Sequence, residues 1–280
     1  MKNFYLIPNP DKDTDLAVSR RALAVLLACG ATVYMDARYA AACEGATPYP
    51  TDTDPEGLDA ILTVGGDGTV LAASRTAIRL RVPLFGINLG RVGYLAELEP
   101  DRISELSRLC DGACDLRSLM TLRVRLRREG REWLLPRRVI NDVVIQRSAT
   151  DPTATISLST EGESEITYLA DGLIISTPSG STAYSLAAGG PVLSPNLDAI
   201  CATPICPHTF FNRAILFDAD RLLIIRNAGR TERLMVTLDG NETIELAQGD
   251  ELLVSRADTT LKILTLSPHD FLGVLKRKIK

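Results

Sequence analysis

Near Leu116 the spacing of apolar residues changes, and that change limits the fold more than any other feature of the sequence. Before it, short apolar runs alternate with helical spacing. Residues 4–7 are an apolar run stopped by Pro8, which suits a buried strand. Residues 14–29 carry apolar side chains at 16, 18, 23, 26 and 27, a helical spacing, with Gly30 as the stop. Residues 31–35, 58–64 and 82–87 read as further strands, and 70–78 and 100–110 as helices. Alternation of this kind predicts a parallel sheet with helices on its faces. After Leu116 the period is two. Leu122, Val124 and Leu126 alternate with Arg123, Arg125 and Arg127, a half-buried strand. Strand-like runs follow at 139–146, 153–160, 165–169, 173–177, 221–226, 233–238, 251–255 and 261–265. Turn signals separate several of them: Glu161-Gly162, Asp239-Gly240 and Gly249-Asp250. This predicts a second, mostly antiparallel domain.

The chain has 280 residues, 45% of them apolar, enough to bury a core without a disulfide or metal staple. A net charge of −4 argues against a general nucleic-acid or membrane-surface binder. The first apolar run ends at Pro8, too short for a signal-peptide core. The longest, residues 23–29, falls far short of the roughly 20 residues that span a bilayer. Cys29, Cys43, Cys110, Cys114, Cys201 and Cys206 show no disulfide framework. We therefore expect a cytoplasmic protein with free thiols, no nucleic-acid partner and no membrane span.

Gly65-Gly66-Asp67-Gly68-Thr69 lies between a strand and a helix. Glycines there let the backbone turn tightly and bring N–H groups close to phosphate oxygens. The helix N-terminus adds positive potential for an anion. A carboxylate beside a phosphate is repelled, so Asp67 needs a reason to be there. It could accept a proton from an attacking hydroxyl or hold a magnesium ion. The plain alternative is a turn with an Asp cap. The loop is neither a Walker A nor a Gly-x-Gly-x-x-Gly fingerprint, since Leu71 stands where the third glycine would be.

A second cluster runs from Asp171-Gly172 through Ser176-Thr177-Pro178-Ser179-Gly180-Ser181-Thr182-Ala183-Tyr184-Ser185-Leu186-Ala187 to Gly189-Gly190-Pro191. Its small residues would let a flat ligand lie against the backbone. Tyr184 could stack, and Asp171 could accept from a ribose hydroxyl or an amide. The plain alternative is a Ser/Thr-rich loop capping a helix. Asn141-Asp142 at a strand mouth can read donors and acceptors on a nucleotide, or simply turn the chain. Cys201, Cys206 and His208 are close in sequence but lack zinc-site spacing, so free thiols are the expectation. The eight arginines between Arg117 and Arg138, and Lys276-Arg277-Lys278, read as solvated faces.

Taken together, these residues resemble the NAD kinase family of the bacterial type. The matching pieces appear in order: Gly65-Gly66-Asp67-Gly68; Asn88-Leu89-Gly90 with Gly93-Tyr94-Leu95; Asn141-Asp142; residues 171–191; residues 203–208; and Asp239-Gly240-Asn241. The aspartate loop alone is shared with phosphofructokinases and lipid kinases, whereas the 171–191 block is specific. The resemblance implies a Rossmann-like α/β domain over residues 1–115 and a β-rich, sandwich-like domain over 116–255. A segment over 256–280 would return to the first domain. It implies phosphoryl transfer from ATP, or polyphosphate, to the adenosine-ribose 2′-hydroxyl of NAD, giving NADP. Asp67 would accept the proton. Gly68, Asn141, Asp142, Asp171, Thr182, Ala183, Tyr184, Ser185, Leu186, Ala187 and Asn241 would hold NAD, with Tyr94 and His208 as weaker contributors. A divalent metal ion, Mg2+, and a homo-oligomer (dimer or tetramer) are also implied; the metal ligands are not.

Ser179, Asn241 and Phe210-Phe211-Asn212 depart from the family pattern. Two other readings stand beside this one. The first is a lipid or sugar kinase of the same aspartate-loop superfamily, against which the 171–191 block counts. The second is a non-catalytic NAD(H) sensor, against which the retention of Asp67 counts.

Overall fold

The computed structural model describes residues 1–90, 93–148, 153–209, 211–229, 233–268 and 270–279. Phe210 lies outside the described residues, as does the side chain of Lys278. The chain forms two compact units: Met1–Ser118 with Leu261–Lys280, and Leu119–Thr260.

The first unit contains strands β1 (Asn3–Pro8), β2 (Thr32–Met35), β3 (Thr47–Pro48), β4 (Ala60–Gly65), β5 (Leu84–Asn88) and β6 (Asp115–Leu119). The second holds β7 (Leu122–Arg128), β8 (Arg131–Leu134), β9 (Asp142–Gln146), β10 (Ala154–Thr160), β11 (Ile166–Ala170) and β12 (Gly172–Ser176). It continues with β13 (Ala199–Ile205), β14 (Ile215–Asp218), β15 (Leu223–Asn227), β16 (Arg233–Leu238), β17 (Glu242–Ala247) and β18 (Glu251–Arg256). The last strand, β19 (Leu261–Thr265), pairs in the first unit's sheet, whose order is β3-β2-β1-β4-β5-β19-β6. The pairs β1–β2, β1–β4, β4–β5, β2–β3 and β5–β19 are parallel.

Two helices cover this sheet because their apolar faces repeat at helical spacing. Helix α1 (Ala17–Ala28) buries Ser19, Ala22, Leu23 and Leu26. Helix α2 (Ala37–Ala40) is a single turn, and α3 (Asp67–Leu80) buries Val70, Ala73, Ser74 and Ala77. The sequence spacing predicts one helix over 14–29, but residues Thr14–Leu16 form a separate 3-10 turn. The break has a physical cause. The Asp13 carboxylate takes the N–H groups of Val18 and Ser19, both at 2.9 Å, and the Ser19 hydroxyl at 2.6 Å. Asp15 and Leu16 meanwhile adopt φ of 57° and 55°. Likewise Pro100–Leu106 is 3-10 and only α4 (Ser107–Cys110) is α-helical. Helix α6 (Phe271–Ile279) closes the chain, after the short α5 (Tyr184–Ala187) of the second unit.

The second unit has two six-stranded sheets, β11-β10-β15-β18-β7-β8 and β14-β13-β12-β9-β16-β17. Their strand pairs are antiparallel. One apolar core draws alternate residues from both: Leu122 and Val124, Ile156 and Leu158, and Leu252 and Val254 from one sheet, Val143 and Ile145, Leu173 and Ile175, and Leu234 and Val236 from the other. That period of two is the signature of sheets packed face to face. The sequence reading missed β8, β13, β14 and β17. Pro204 within β13 and Glu242 and Glu245 within β17 mask those strands, and β14 is only four residues long.

The arginine-rich stretch is not a simple solvated face. Arg125 and Arg127 pair with Glu132 at 2.8 and 2.6 Å. Arg127 and Arg226 both reach Glu251 at 2.5 Å, and Arg128 reaches Asp250 at 2.6 Å. The alternating arginines therefore lace neighbouring strands through carboxylates. Among the described residues, no helix is long and apolar enough to cross a membrane.

Candidate functional site

The first unit brings one set of predicted residues together. Strand β4 ends at Gly65, where a Cβ would stand 2.1 Å from Thr69 Oγ1, so the turn into α3 admits only glycine. Gly66 is the extended N-cap and Asp67 the first helical residue. Asp67 does not cap its own helix. Its carboxylate accepts the backbone N–H groups of Tyr94 (2.9 Å), Leu95 (3.0 Å) and Ala96 (3.2 Å). The segment that follows β5 is thus held against α3 by charge-assisted hydrogen bonds. Gly93 is part of the same arrangement, because a Cβ there would stand 2.2 Å from Asp67 Oδ1. Gly68 is different: it is exposed, and a Cβ there would meet nothing within 4 Å. Its missing side chain leaves open space at the mouth of the loop. The Tyr94 and Phe271 rings lie 6.5 Å apart.

The second unit brings another set together. Asn141 and Asp142 open β9, and Asp142 pairs in register with Ser176 at the end of β12. The hydroxyl cluster begins there. Thr177 N donates to Asn141 O at 2.9 Å and Thr177 Oγ1 to Ile140 O at 2.6 Å. Gly180 packs on the Asn141 backbone so closely that a Cβ would stand 2.0 Å from its carbonyl oxygen. The Asp239 carboxylate, from the turn after β16, accepts Asn141 N–H at 2.7 Å, Ile140 N–H at 3.0 Å and Asp142 N–H at 3.3 Å. Asn241 occupies the same turn, its side-chain amide donating to Asp239 O at 2.9 Å. Residues 141, 142, 177–187, 239 and 241 therefore meet at one end of β9, β12 and β16.

Within residues 182–187 the side chains divide. Ser185 is buried and shares a 2.9 Å hydrogen bond with Thr203, whereas Tyr184, Leu186 and Ala187 are exposed. Thr182 and Ala183 are half-buried, with Thr182 Oγ1 donating to Ser179 O at 3.1 Å. Burial, with the Asp239 carboxylate beside it, pushes the Asp142 carboxyl up to about 7, against the pull of the Tyr184 amide. Burial also raises Asp239, but three amides and Arg137 oppose it there. Of the two carboxylates, Asp239 is the one held by several backbone amides.

Asp171 does not join this cluster. It precedes Gly172, which pairs with Gln146 at the far end of β9 and β12. Five strand residues span about 16 Å. There Asp171 accepts Arg147 Nε–H at 2.8 Å. His208 stands at that far end too, exposed, its N–H donating to Leu169 O at 2.7 Å. Cys201 is buried and Cys206 exposed. Among the described residues, no group of three or more His, Cys, Asp or Glu could hold a metal ion. Sequence reasoning missed Asp239 and Thr177 as the residues that set the Asn141 backbone. Asp239 was visible as a turn residue before Gly240 and as part of the Asp239-Gly240-Asn241 match, with no role given to its carboxylate, and its positive φ of 47° fits that turn.

Known families match both units. A model of the ATP-NAD kinase N-terminal domain matches residues 4–112, and one of the ATP-NAD kinase C-terminal domain matches residues 140–266. The chain belongs to the NAD kinase family. Among curated relatives of the family, the NAD kinase of Lachnoclostridium phytofermentans is 37% identical over 285 residues, covering 99% of both chains. That of Geotalea daltonii is 39% identical over 230 residues, covering 82% of this chain and 81% of its own. The fold agrees with solved NAD kinase structures. Yeast NADH kinase complexed with NADH aligns at a TM-score of 0.85 and 21% identity, covering 99% of this chain and 86% of that one. An NAD kinase from Archaeoglobus fulgidus in complex with ATP aligns at 0.77 and 22%, covering 98% and 99%.

Proposed function

We propose that this protein phosphorylates the adenosine-ribose 2′-hydroxyl of NAD to give NADP, with ATP or polyphosphate as donor. The observation that carries the reading is the Gly65–Gly68 loop at the end of a parallel strand, opening a helix with an aspartate at its first position, in a chain of this family. In the reaction, the ribose oxygen bonds to the terminal phosphorus of the donor. The bond from that phosphorus to the leaving phosphate oxygen breaks, and the hydroxyl proton passes to Asp67.

A ribose hydroxyl is far too weak an acid for a carboxylate to ionise beforehand. Asp67 therefore orients the hydroxyl and takes the proton late. Its three amide partners fix the carboxylate's direction before substrate arrives, which is the preorganisation such a role needs. Asn141, Asp142, the 182–187 segment and Asn241 hold the dinucleotide, with Gly68 leaving room at the loop. Ser185 contributes through the backbone it fixes, since its hydroxyl serves Thr203. Asp171 stands apart from that group, and any contact it makes is a separate one. A divalent ion, Mg2+ in our reading, would neutralise phosphate charge. With no carboxylate cluster among the described residues, it would be held by the donor's phosphates and water. The free cysteines fit a cytoplasmic setting, and the family resemblance supports a homo-oligomer.

The test is NADP formation by the purified protein with NAD, Mg2+ and either ATP or polyphosphate. Turnover with one of them carries the reading. NAD binding without NADP from any donor would sink it in favour of a sensor.

A further inference from the structure

The first unit's sheet has the order β3-β2-β1-β4-β5, so the chain runs outward from β1 on one side and resumes at β4 on the other. In open parallel sheets, ligands settle outside the carboxyl ends of the strands at such a switch point. Two loops open there, one after β1 and one after β4. Asn9 joins them. Its N–H donates to Val64 O at 2.8 Å, and its side-chain amide donates to Thr69 Oγ1 at 3.1 Å. Its carbonyl accepts Lys12 N–H at 3.1 Å and Asp13 N–H at 2.8 Å, and its Oδ1 accepts Asp11 N–H at 3.0 Å.

This tight turn delivers Lys12 to the glycine loop. A Cβ on Gly66 would stand 2.9 Å from Lys12 Nζ, and a Cβ on Gly90 would stand 3.2 Å from it. Lys12 is exposed and, among the described residues, makes no ion pair. The Asp67 carboxylate is turned to the 94–96 amides. Gly66 is the N-cap of a 14-residue helix, and no side chain caps it. Asn88 adds an independent sign. It is 1% exposed, and its side-chain amide donates to Glu99 at 3.0 Å and to Gly90 O at 3.5 Å. Its Oδ1 is buried with no partner among the described residues, 4.0 Å from the same Cβ position on Gly90. A cation, an uncapped helix N-terminus and an unsatisfied acceptor therefore flank one place. A hydrated polyphosphate chain suits all three: its oxygens accept from the ammonium and the helix N–H groups, and its bound water donates to the amide oxygen.

We propose that Lys12 binds the terminal phosphates of the phosphoryl donor at this switch point and offsets their charge during transfer. The proposal rests on the NAD kinase reading. Lys12 keeps its protons throughout, and the bond changes are those already given. ATP and inorganic polyphosphate share the chemistry that Lys12 meets.

The experiment compares wild type, Lys12→Met and Lys12→Arg. Calorimetry measures binding of Mg·ATP and of tripolyphosphate, and initial rates give KM and kcat for the donor and for NAD. Melting curves confirm folding, which an exposed side chain without an ion pair does not threaten. Lys12→Met should weaken donor affinity by about 10- to 100-fold, the worth of a charged hydrogen bond. NAD KM should stay within about two-fold, and Lys12→Arg should recover most of the loss by keeping the charge. Loss for ATP and tripolyphosphate alike supports a phosphate contact. Loss for ATP alone, unchanged donor binding, or no donor binding by the wild type overturns it. If the wild type binds donor yet makes no NADP, the kinase reading fails, and the calorimetric comparison still decides the role of Lys12.

Discussion

Asp239 and Asn141 lie 98 residues apart, yet the Asp239 carboxylate accepts the Asn141 backbone N–H at 2.7 Å. Two neighbouring amides share the same carboxylate. The direction in which Asn141 presents itself is thus set by a residue on another strand's turn. Asp239→Asn isolates the charge, because asparagine also tolerates the positive φ found there. We expect a loss of about 1–3 kcal/mol in urea denaturation, from amides left poorly satisfied. NAD KM should rise while donor KM holds. A variant with unchanged NAD KM would reduce Asp239 to a purely structural part.

Asp67→Asn replaces one acceptor oxygen with an NH2 group that faces amide donors. Turnover should fall by about 100- to 10,000-fold, the usual worth of a positioned general base. NAD affinity by calorimetry should stay within several-fold, and the melting temperature should drop by a few degrees, reflecting about 1–3 kcal/mol. Equal losses in affinity and turnover would argue that Asp67 only braces the 94–96 segment.

Asp142 gives stability a pH dependence. Folded, its carboxyl is pushed up to about 7; unfolded, it ionises near the ordinary value of about 4. Between those values the native state keeps a proton that the unfolded chain has released. Its contribution to stability therefore falls as pH rises through the window and levels off above it. Asp142→Asn removes the dependence, so the variant should gain on the wild type steadily from about pH 4 to about pH 7. A constant difference across that range, measured by urea midpoints, would show that Asp142 ionises normally.

Two glycines should respond in opposite ways. Gly180→Ala forces a Cβ to within 2.0 Å of the Asn141 carbonyl oxygen, backbone that cannot swing aside. We expect about 1–3 kcal/mol of destabilisation and a raised NAD KM. Gly68→Ala meets nothing within 4 Å, so stability should stay within about 0.5 kcal/mol. Its methyl group would intrude on the open mouth of the loop and lower turnover. Thermal melts beside steady-state rates separate the two effects, and equal melting temperatures would refute the steric account of Gly180.

Much of this was legible from periodicity. The switch from helical spacing to strict alternation near Leu116 showed two architectures because buried faces repeat differently in helices and strands. Gly65–Gly68 could be placed at a strand end because the flanking runs were unambiguous. What stayed hidden depends on contacts distant in sequence. Nothing in the order of residues says that Asp239 reaches residues 140–142, or that Asp171 stands at the far end of the strands that carry Asn141. Lys12 gains meaning only once β1 and β4 are known to be neighbours. The arginines looked solvated because their carboxylate partners lie elsewhere, Glu132 and Glu251 on other strands and Asp250 in the turn before β18. The 3-10 turns at Thr14–Leu16 and Pro100–Leu106 escaped notice because side-chain spacing barely distinguishes them from α-helix.

Strand β19 lies between β5 and β6, although β6 precedes it by the whole length of the second unit. On a ribosome, which delivers the chain from its N-terminus, that order imposes a schedule. Every strand of the two antiparallel sheets has emerged before the filler of the first sheet appears. The antiparallel unit can mature as an uninterrupted stretch, while β5 waits with an open edge for a neighbour that emerges only after it. A nascent chain stalled before Leu261 would carry that edge exposed, the condition under which strands recruit the wrong partner. The loop that opens at the end of β4, one strand away, would reach its final support only after the whole antiparallel unit has emerged.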